Sequence, residues 1–302
     1  MTKRFLTNLA MTLALILCAC VPVAYGQVET WPNGGGGGGG GVVPCIGGTP
    51  PGTVCIGANP QLVWTYRVST PIGNRTSDIN ITGTGAGGDC MLYWGDGTAS
   101  LEASCNPGPV SHAYTSDGPW TISLVGPLSA MSSIVSLSLG DGVYSGALTF
   151  DPLLPFPALT DFIYRNAAST SLPLTSPFAF NPNLTTITVR SNPALASIPV
   201  GWLNPLIGMT TLALQNNPLL STFSPGLLNS NTVLAFGILT GNALNVNSVN
   251  TLLFELASTV GTRAICTLDL SGGTSAAPTI GPPDGIASAA ALVLAGWSVT
   301  TN

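Results

Sequence analysis

Apolar residues recur every 25 positions across the second half of the chain. Ile134, Leu159, Leu184, Met209 and Leu234 form one column. Leu137, Phe162, Ile187 and Leu212 form the next, which Gly237 interrupts, and Leu139, Tyr164, Val189, Leu214 and Leu239 form a third. Three residues further on stand Gly142, Ala167, Asn192, Asn217 and Asn242, and a later apolar pair recurs as Leu195/Ile198 and Leu220/Phe223. A fixed period of this length predicts stacked units, each too small to bury its own apolar face. Within each unit, two apolar residues separated by one predict a short strand pointing both side chains inward. The asparagines are placed to bond the turn backbone, and stacked turns would align them as a ladder.

The first half carries a different pattern. Residues 62–68, 79–82, 91–94 and 120–125 alternate in the manner of short strands, with Gly-Asp-Gly and Asp-Gly turns between them. After the repeats, 246–260 reads as a helix with Val249, Leu252, Leu253 and Leu256 on one face. A strand and turn at 267–273, an Ala-rich helix and a closing strand at 297–299 complete the chain. The last unit of a stack must differ from the others, because its outer face lacks a neighbour. Residues 266–302 are therefore expected to form a cap.

The N-terminus predicts export. Lys3 and Arg4 precede the apolar run 5–23, and Ala24-Tyr25-Gly26 offers a cleavage site before Gln27. A second reading is a lipoprotein signal, Leu17-Cys18-Ala19-Cys20, with Cys20 acylated. Residues 27–60 read as a linker around the glycine run 34–41. In an oxidising compartment, Cys45 and Cys55 are expected to pair across a Pro-Gly turn, and Cys90 with Cys105 across another. Cys266, beside the 267–273 strand, is left as a buried free thiol.

Charge changes the functional picture. Only 6% of residues are charged, against roughly 25% in ordinary domains. Lys3 is the only lysine, and beyond the leader five arginines face twelve acidic residues. That balance argues against nucleic-acid binding, which needs clustered cations. A membrane contact is expected only if Cys20 is lipidated. No second histidine accompanies His112 and no C-x-x-C pair occurs, so nucleophilic triads, zinc and redox sites have no support. His112 is read as structural. Asp89 and Asp96 could pair as a glycosidase dyad or hold calcium, but Asp96 in a Gly-Asp-Gly turn more commonly bonds its own backbone. No metal, cofactor or enzymatic activity is expected.

Two resemblances add to this reading. The unit L-x-x-L-x-L-x-x-N over about residues 130–265 resembles leucine-rich repeats. Tyr93-Trp94-Gly95-Asp96-Gly97-Thr98, His112-Ala113-Tyr114 and 118–124 resemble a polycystic-kidney-disease-type (PKD-like) β-sandwich, without the family's Phe before Gly-Asp-Gly and with Trp120 for Tyr. The layout is similar to bacterial surface leucine-rich-repeat proteins of the BspA-like kind, and its last units to those of phage tail proteins. The resemblance implies a mainly β chain with short helices. It divides into a leader (1–26), a linker (27–60), a partial PKD-like sandwich (61–127), leucine-rich repeats (128–265) and a helical and strand cap (266–302). It also implies recognition rather than catalysis. The expected role is an exported surface protein that binds a protein or glycan on a host or neighbouring cell. The alternatives are a structural stalk or virion subunit that assembles with copies of itself and, last, a glycan-active enzyme. The outward strand positions carry Asp161, Arg165, Arg190 and Gln215, a polar strip on an otherwise uncharged face and the expected binding surface.

Overall fold

The computed structural model describes residues 61–68 and 76–302, apart from 86, 141–148, 151–152, 154–155, 168–169, 171, 173–175, 200, 229 and 264–265. The expected leader, Cys20, the linker and the Cys45–Cys55 bridge lie outside these residues.

The described chain is mainly β, with a β-solenoid and three short α-helices. Six strands open the described chain. They are β1 (Gln61–Val68), β2 (Thr76–Gly83), β3 (Cys90–Tyr93), β4 (Ala99–Glu102), β5 (Gly108–Ala113) and β6 (Trp120–Pro127). Strands β3, β4, β6 and β1 form an antiparallel sheet, which β8 (Thr149–Phe150) joins at its edge. The short helix α1 (Leu128–Met131) leads into β7 (Ile134–Gly140).

Strand β7 joins two architectures in one sheet. On one side it is antiparallel to β2, with Ile79 opposite Leu139 and Ile81 opposite Leu137. On the other it is parallel to β9 (Asp161–Arg165), with Leu137 opposite Phe162 and Leu139 opposite Tyr164. The parallel ladder then runs through β10 (Thr186–Arg190), β12 (Thr211–Gln215) and β14 (Phe236–Ile238). It continues through β15 (Thr267–Asp269) and β16 (Ser298–Thr300), within the residues expected to form the cap. Nine strands share this sheet, in the order β16-β15-β14-β12-β10-β9-β7-β2-β5. The antiparallel module and the solenoid therefore bury one continuous core, from Ile79 to Trp297.

The inward side chains explain the stack. Phe162, Ile187 and Leu212 are fully buried in register, as are Tyr164, Val189 and Leu214 to within 1%. Each such burial stabilises by about 1.5–3 kcal/mol. A second pair of strands, β11 (Ser197–Ile198) and β13 (Thr222–Phe223), holds the later apolar pairs on another side of the coils. Between the layers Phe162, Phe178 and Trp202 meet edge to face, with centroids 5.3 and 4.9 Å apart. Helices α2 (Val246–Ser258) and α3 (Gly285–Leu294) pack together in the last coils, each N-capped by a side chain, Asn245 and Asp284 respectively. Cys266 is a free buried thiol, and burial pushes its pKa up to about 11, so it stays protonated at neutral pH. Among the described residues no helix is long and apolar enough to cross a membrane.

The asparagine ladder forms where the period places it. Asn192, Asn217 and Asn242 are fully buried. Asn192 Oδ1 accepts from the Ala167 amide (3.0 Å), and Asn217 Oδ1 accepts from the Asn192 amide (3.1 Å). Asn242 Oδ1 accepts from the Asn217 amide (3.1 Å). Asn217 Nδ2 donates back to the Val189 carbonyl (3.1 Å), and Asn242 Nδ2 to that of Leu214 (2.6 Å). Each side chain thus satisfies a donor and an acceptor of the preceding coil, groups that would otherwise be buried without partners.

Candidate functional site

The outward positions of the nine-stranded sheet form the candidate surface. Register stacks Gly140, Arg165, Arg190 and Gln215 in one column across β7, β9, β10 and β12. Neighbouring strands lie about 4.8 Å apart. Arg190 is exposed, and Arg165 and Gln215 are half-buried. Asp161 stands elsewhere. It pairs with Ser136 and Thr186 four residues back along β9, roughly 13 Å from the arginine column. Its carboxylate accepts a 2.6 Å bond from the Thr160 hydroxyl. Three of the four expected residues are therefore adjacent, and Asp161 belongs to the other end of the strands.

Two guanidiniums on neighbouring strands repel, and like charges directly opposite weaken a sheet. In a chain with so few cations, their juxtaposition is a feature that packing alone does not require. At its β7 end the column finishes on Gly140, beside a pocket. The Gly140 backbone has φ +136°, and a Cβ there would run into the Arg165 carbonyl. The pocket is lined by Asp78, Asn80, Ser111, Ser138, Gly140 and Arg165, with Pro109 and the Ile79 and Val110 backbone beside them. Periodicity could not find this pocket. Asp78, Asn80 and Ser111 come from the antiparallel strands β2 and β5, outside the repeat. Of the three, only Asn80 lay in an expected strand, 79–82; Asp78 precedes it, and β5 was not among the strands expected.

The other titratable cluster has a structural geometry. Asp96 Oδ1 accepts from the Thr98 amide (3.0 Å) and hydroxyl (2.6 Å), and Asp96 Oδ2 lies 2.8 Å from His112 Nε2. Burial pushes the Asp96 pKa up, but the Thr98 and His112 bonds outweigh it and hold the group below the usual carboxylate range. His112 stacks on Trp94 (4.8 Å) and meets Tyr114 edge-on, while the Tyr114 hydroxyl donates to the Trp94 carbonyl (2.9 Å). The Thr98 hydroxyl also lies 3.4 Å from the same Nε2, yet its proton is directed to Asp96. A base must face its nucleophile with one nitrogen and its orienting acid with the other. Here one nitrogen meets both groups, which makes a turn clamp. Asp89 accepts from the Ser104 amide (2.8 Å) and so holds a separate loop. Among the described residues no three His, Cys, Asp or Glu side chains are gathered to hold a metal ion.

Cys90 and Cys105 form a disulfide, with Cα atoms 4.9 Å apart. It ties β3 to the loop before β5. Gly126 of β6 passes beside it, where a Cβ would stand 2.5 Å from the Cys90 sulfur. A disulfide of this kind belongs to an oxidising, extracellular setting. No protein-family profile matches the chain, and no curated protein is similar to it in sequence.

Proposed function

We propose that this chain is an exported surface protein, bacterial or phage-encoded, that binds a protein or glycan partner on the outward strand face of its solenoid. The observation that carries this reading is the stacking of Arg165, Arg190 and Gln215 on adjacent strands, beside a face of Ser and Thr. Arginine forms bidentate bonds to carboxylates and sulfates, and a column at strand spacing suits an extended ligand lying across the coils. The stacked coils support reading the repeats as leucine-rich repeats of the BspA-like kind. The Asp96–His112–Tyr114 clamp supports reading the antiparallel module as PKD-like. The disulfide supports a secreted or cell-surface location. The role is binding, with no enzymatic step.

A second reading, assembly with copies of itself as a structural subunit, is favoured by one observation. Helix α3 exposes Ile286, Val293 and Leu294, the last at 88%, and exposed apolar strips mark contact surfaces. One experiment separates the two readings. Attachment of the secreted protein to cell surfaces and to glycan arrays is compared with that of the Arg165→Ala/Arg190→Ala variant, alongside a light-scattering concentration series. The first reading expects at least tenfold weaker attachment by the variant and constant mass. Unchanged attachment together with growing mass overturns it in favour of the second.

A further inference from the structure

The pocket at the β7 end of the arginine column has a definite chemistry. Its volume is about 180 Å³, well below the roughly 300–1,000 Å³ clefts that take drug-sized ligands. It has room for one ring. Its walls differ in charge. Arg165 stands on the β9 side, with Arg190 one strand beyond. Asp78 stands on the β2 side, one residue on from the Ile79–Leu139 pair and so across from Gly140. The backbone positions of the acid and the arginine are therefore two strand spacings apart, about 10 Å. Between them, Asn80 and Ser138 lie directly opposite each other. Asn80 Oδ1 is buried with no partner among the described residues, and Ser138 is 5% exposed. A buried amide oxygen without a partner is unfavourable unless a ligand or water supplies a donor. The ring of Pro109 offers an apolar edge beside these groups.

We propose that this pocket is the subsite for a single carboxylated sugar residue, of the uronic or sialic acid class, at the end of an acidic glycan that lies along the column. The inference rests on the reading of the strand face as the binding surface. The sugar carboxylate meets Arg165 and Arg190, and its hydroxyls on the opposite edge donate to Asp78 and to Asn80 Oδ1. The Ser138 hydroxyl takes the ring face between them. A neutral hexose fits the same volume but forfeits the charged bonds, and the carboxylate side chain of an acidic peptide brings no hydroxyl donor for Asn80 Oδ1.

The test titrates the whole secreted protein with methyl glucuronide, methyl sialoside and methyl glucoside, read by NMR shifts. The proposal expects saturable binding of at least one acidic sugar in the millimolar range, and at least tenfold weaker binding of the glucoside. Asn80→Ala and Ser138→Leu should each weaken the acidic sugar at least fivefold with melting unchanged. If Ser138→Leu fails to fold, Asn80→Ala decides alone. Equal binding of the three sugars, no binding of any, or full binding by the folded variants overturns the subsite. Should the sugars fail while Arg165→Ala/Arg190→Ala still weakens attachment to cells, the strand-face reading stands without this subsite. If that variant attaches normally, the strand-face reading itself fails.

Discussion

The solenoid is held together in two ways. Between β9 and Asn242, coils repeat every 25 residues, and one contact is used again and again: the buried asparagine that closes the turn of the coil before it. From β14 onward the step is 31 residues, with Phe236 opposite Thr267 and Thr267 opposite Ser298. There the asparagine ladder stops. The position after Asn242 in the ladder is Gly273, where a Cβ would strike the Asn242 backbone. Single-use contacts replace it. Ser275 Oγ accepts from the Leu244 amide (3.2 Å), and Asn302 Oδ1 accepts from the Gly272 amide (2.7 Å). On α2, Asn250 accepts from the Thr279 amide (3.1 Å) and donates to the Thr279 and Pro283 carbonyls (3.2 and 2.9 Å). The six added residues are taken up by helices, which need longer coils than turns do. A repeated contact fixes the coil height and aligns the strands. A unique contact fits one place only, and so it tolerates a change of period.

The comparison is tested first at its strongest point. Asn217→Ala removes the acceptor of the Asn192 amide and the donor to Val189, leaving two buried backbone groups unmatched and a small void. At about 1–3 kcal/mol for each such group, the expected loss is about 2–6 kcal/mol, measured by urea unfolding. A loss below about 1 kcal/mol would show that the ladder follows the strand register rather than setting it. Asn250→Ala is the matching change in the longer coils. Thr279 and Pro283 lie nearer the surface, where water can replace part of what is lost. The expected cost is about 2–4 kcal/mol, with hydrogen exchange rising in 267–300 while 186–215 stays protected. If Asn250→Ala costs more than Asn217→Ala, the single-use contacts dominate and the comparison is reversed.

The same contrast decides what the sequence made legible. The 25-residue columns foretold the strands β7, β9, β10, β12 and β14, their inward faces and the asparagine ladder, because identical environments select identical residues. The Gly237 interruption was visible but unexplained until β15 was placed. Leu268 lies opposite Gly237, and its side chain comes within 3.0 Å of where a Cβ would be. The 31-residue step was not legible, because two steps that share few residues leave no column. The helices and strands of 246–299 were nevertheless read from local pattern. Strand β5 was missed because Gly108-Pro109 begins it and His112 was read as structural without a strand around it. With it went one wall of the pocket beside Arg165, since strand pairing at long range leaves no mark on spacing.

Acid distinguishes the two halves of the nine-stranded sheet. The asparagine ladder carries no titratable group, whereas the antiparallel module is clamped by Asp96 on His112 and Thr98. The folded pKa of Asp96 is lowered, so its contribution is fully present above the unfolded value, about 3.9. It is lost as pH falls through the lowered folded value. Below about pH 4, fluorescence of Trp94, which stacks on His112, should change while far-UV circular dichroism from the coils persists. Asp96→Asn should abolish the acid step. Simultaneous loss of both signals would mean that the shared core, rather than the clamp, governs acid unfolding.

The smallest expected effect lies in the turn that follows each strand. Asn166, Ser191, Asn216, Gly241 and Gly272 form one column, all with positive φ, between 51° and 77°. Glycine adopts this region freely and asparagine tolerates it, while other side chains meet a steric cost of about 1–2 kcal/mol. Ser191, at φ +57°, is the one member that is neither. Its backbone has no freedom to relax, because its amide donates to the Gln215 carbonyl (2.9 Å) and the next residue is the buried Asn192. Ser191→Asn keeps a polar surface residue and restores the type found one coil away on either side. It should raise stability by about 0.5 kcal/mol, a Tm gain of roughly 1–2 °C for a chain of this size. Asn166→Ser should lower it by a similar amount. Equal and opposite shifts would show that the turn column, like the ladder beside it, is a repeated contact whose members are interchangeable. A Ser191→Asn variant that melts lower would show instead that the Ser191 side chain serves its own coil alone.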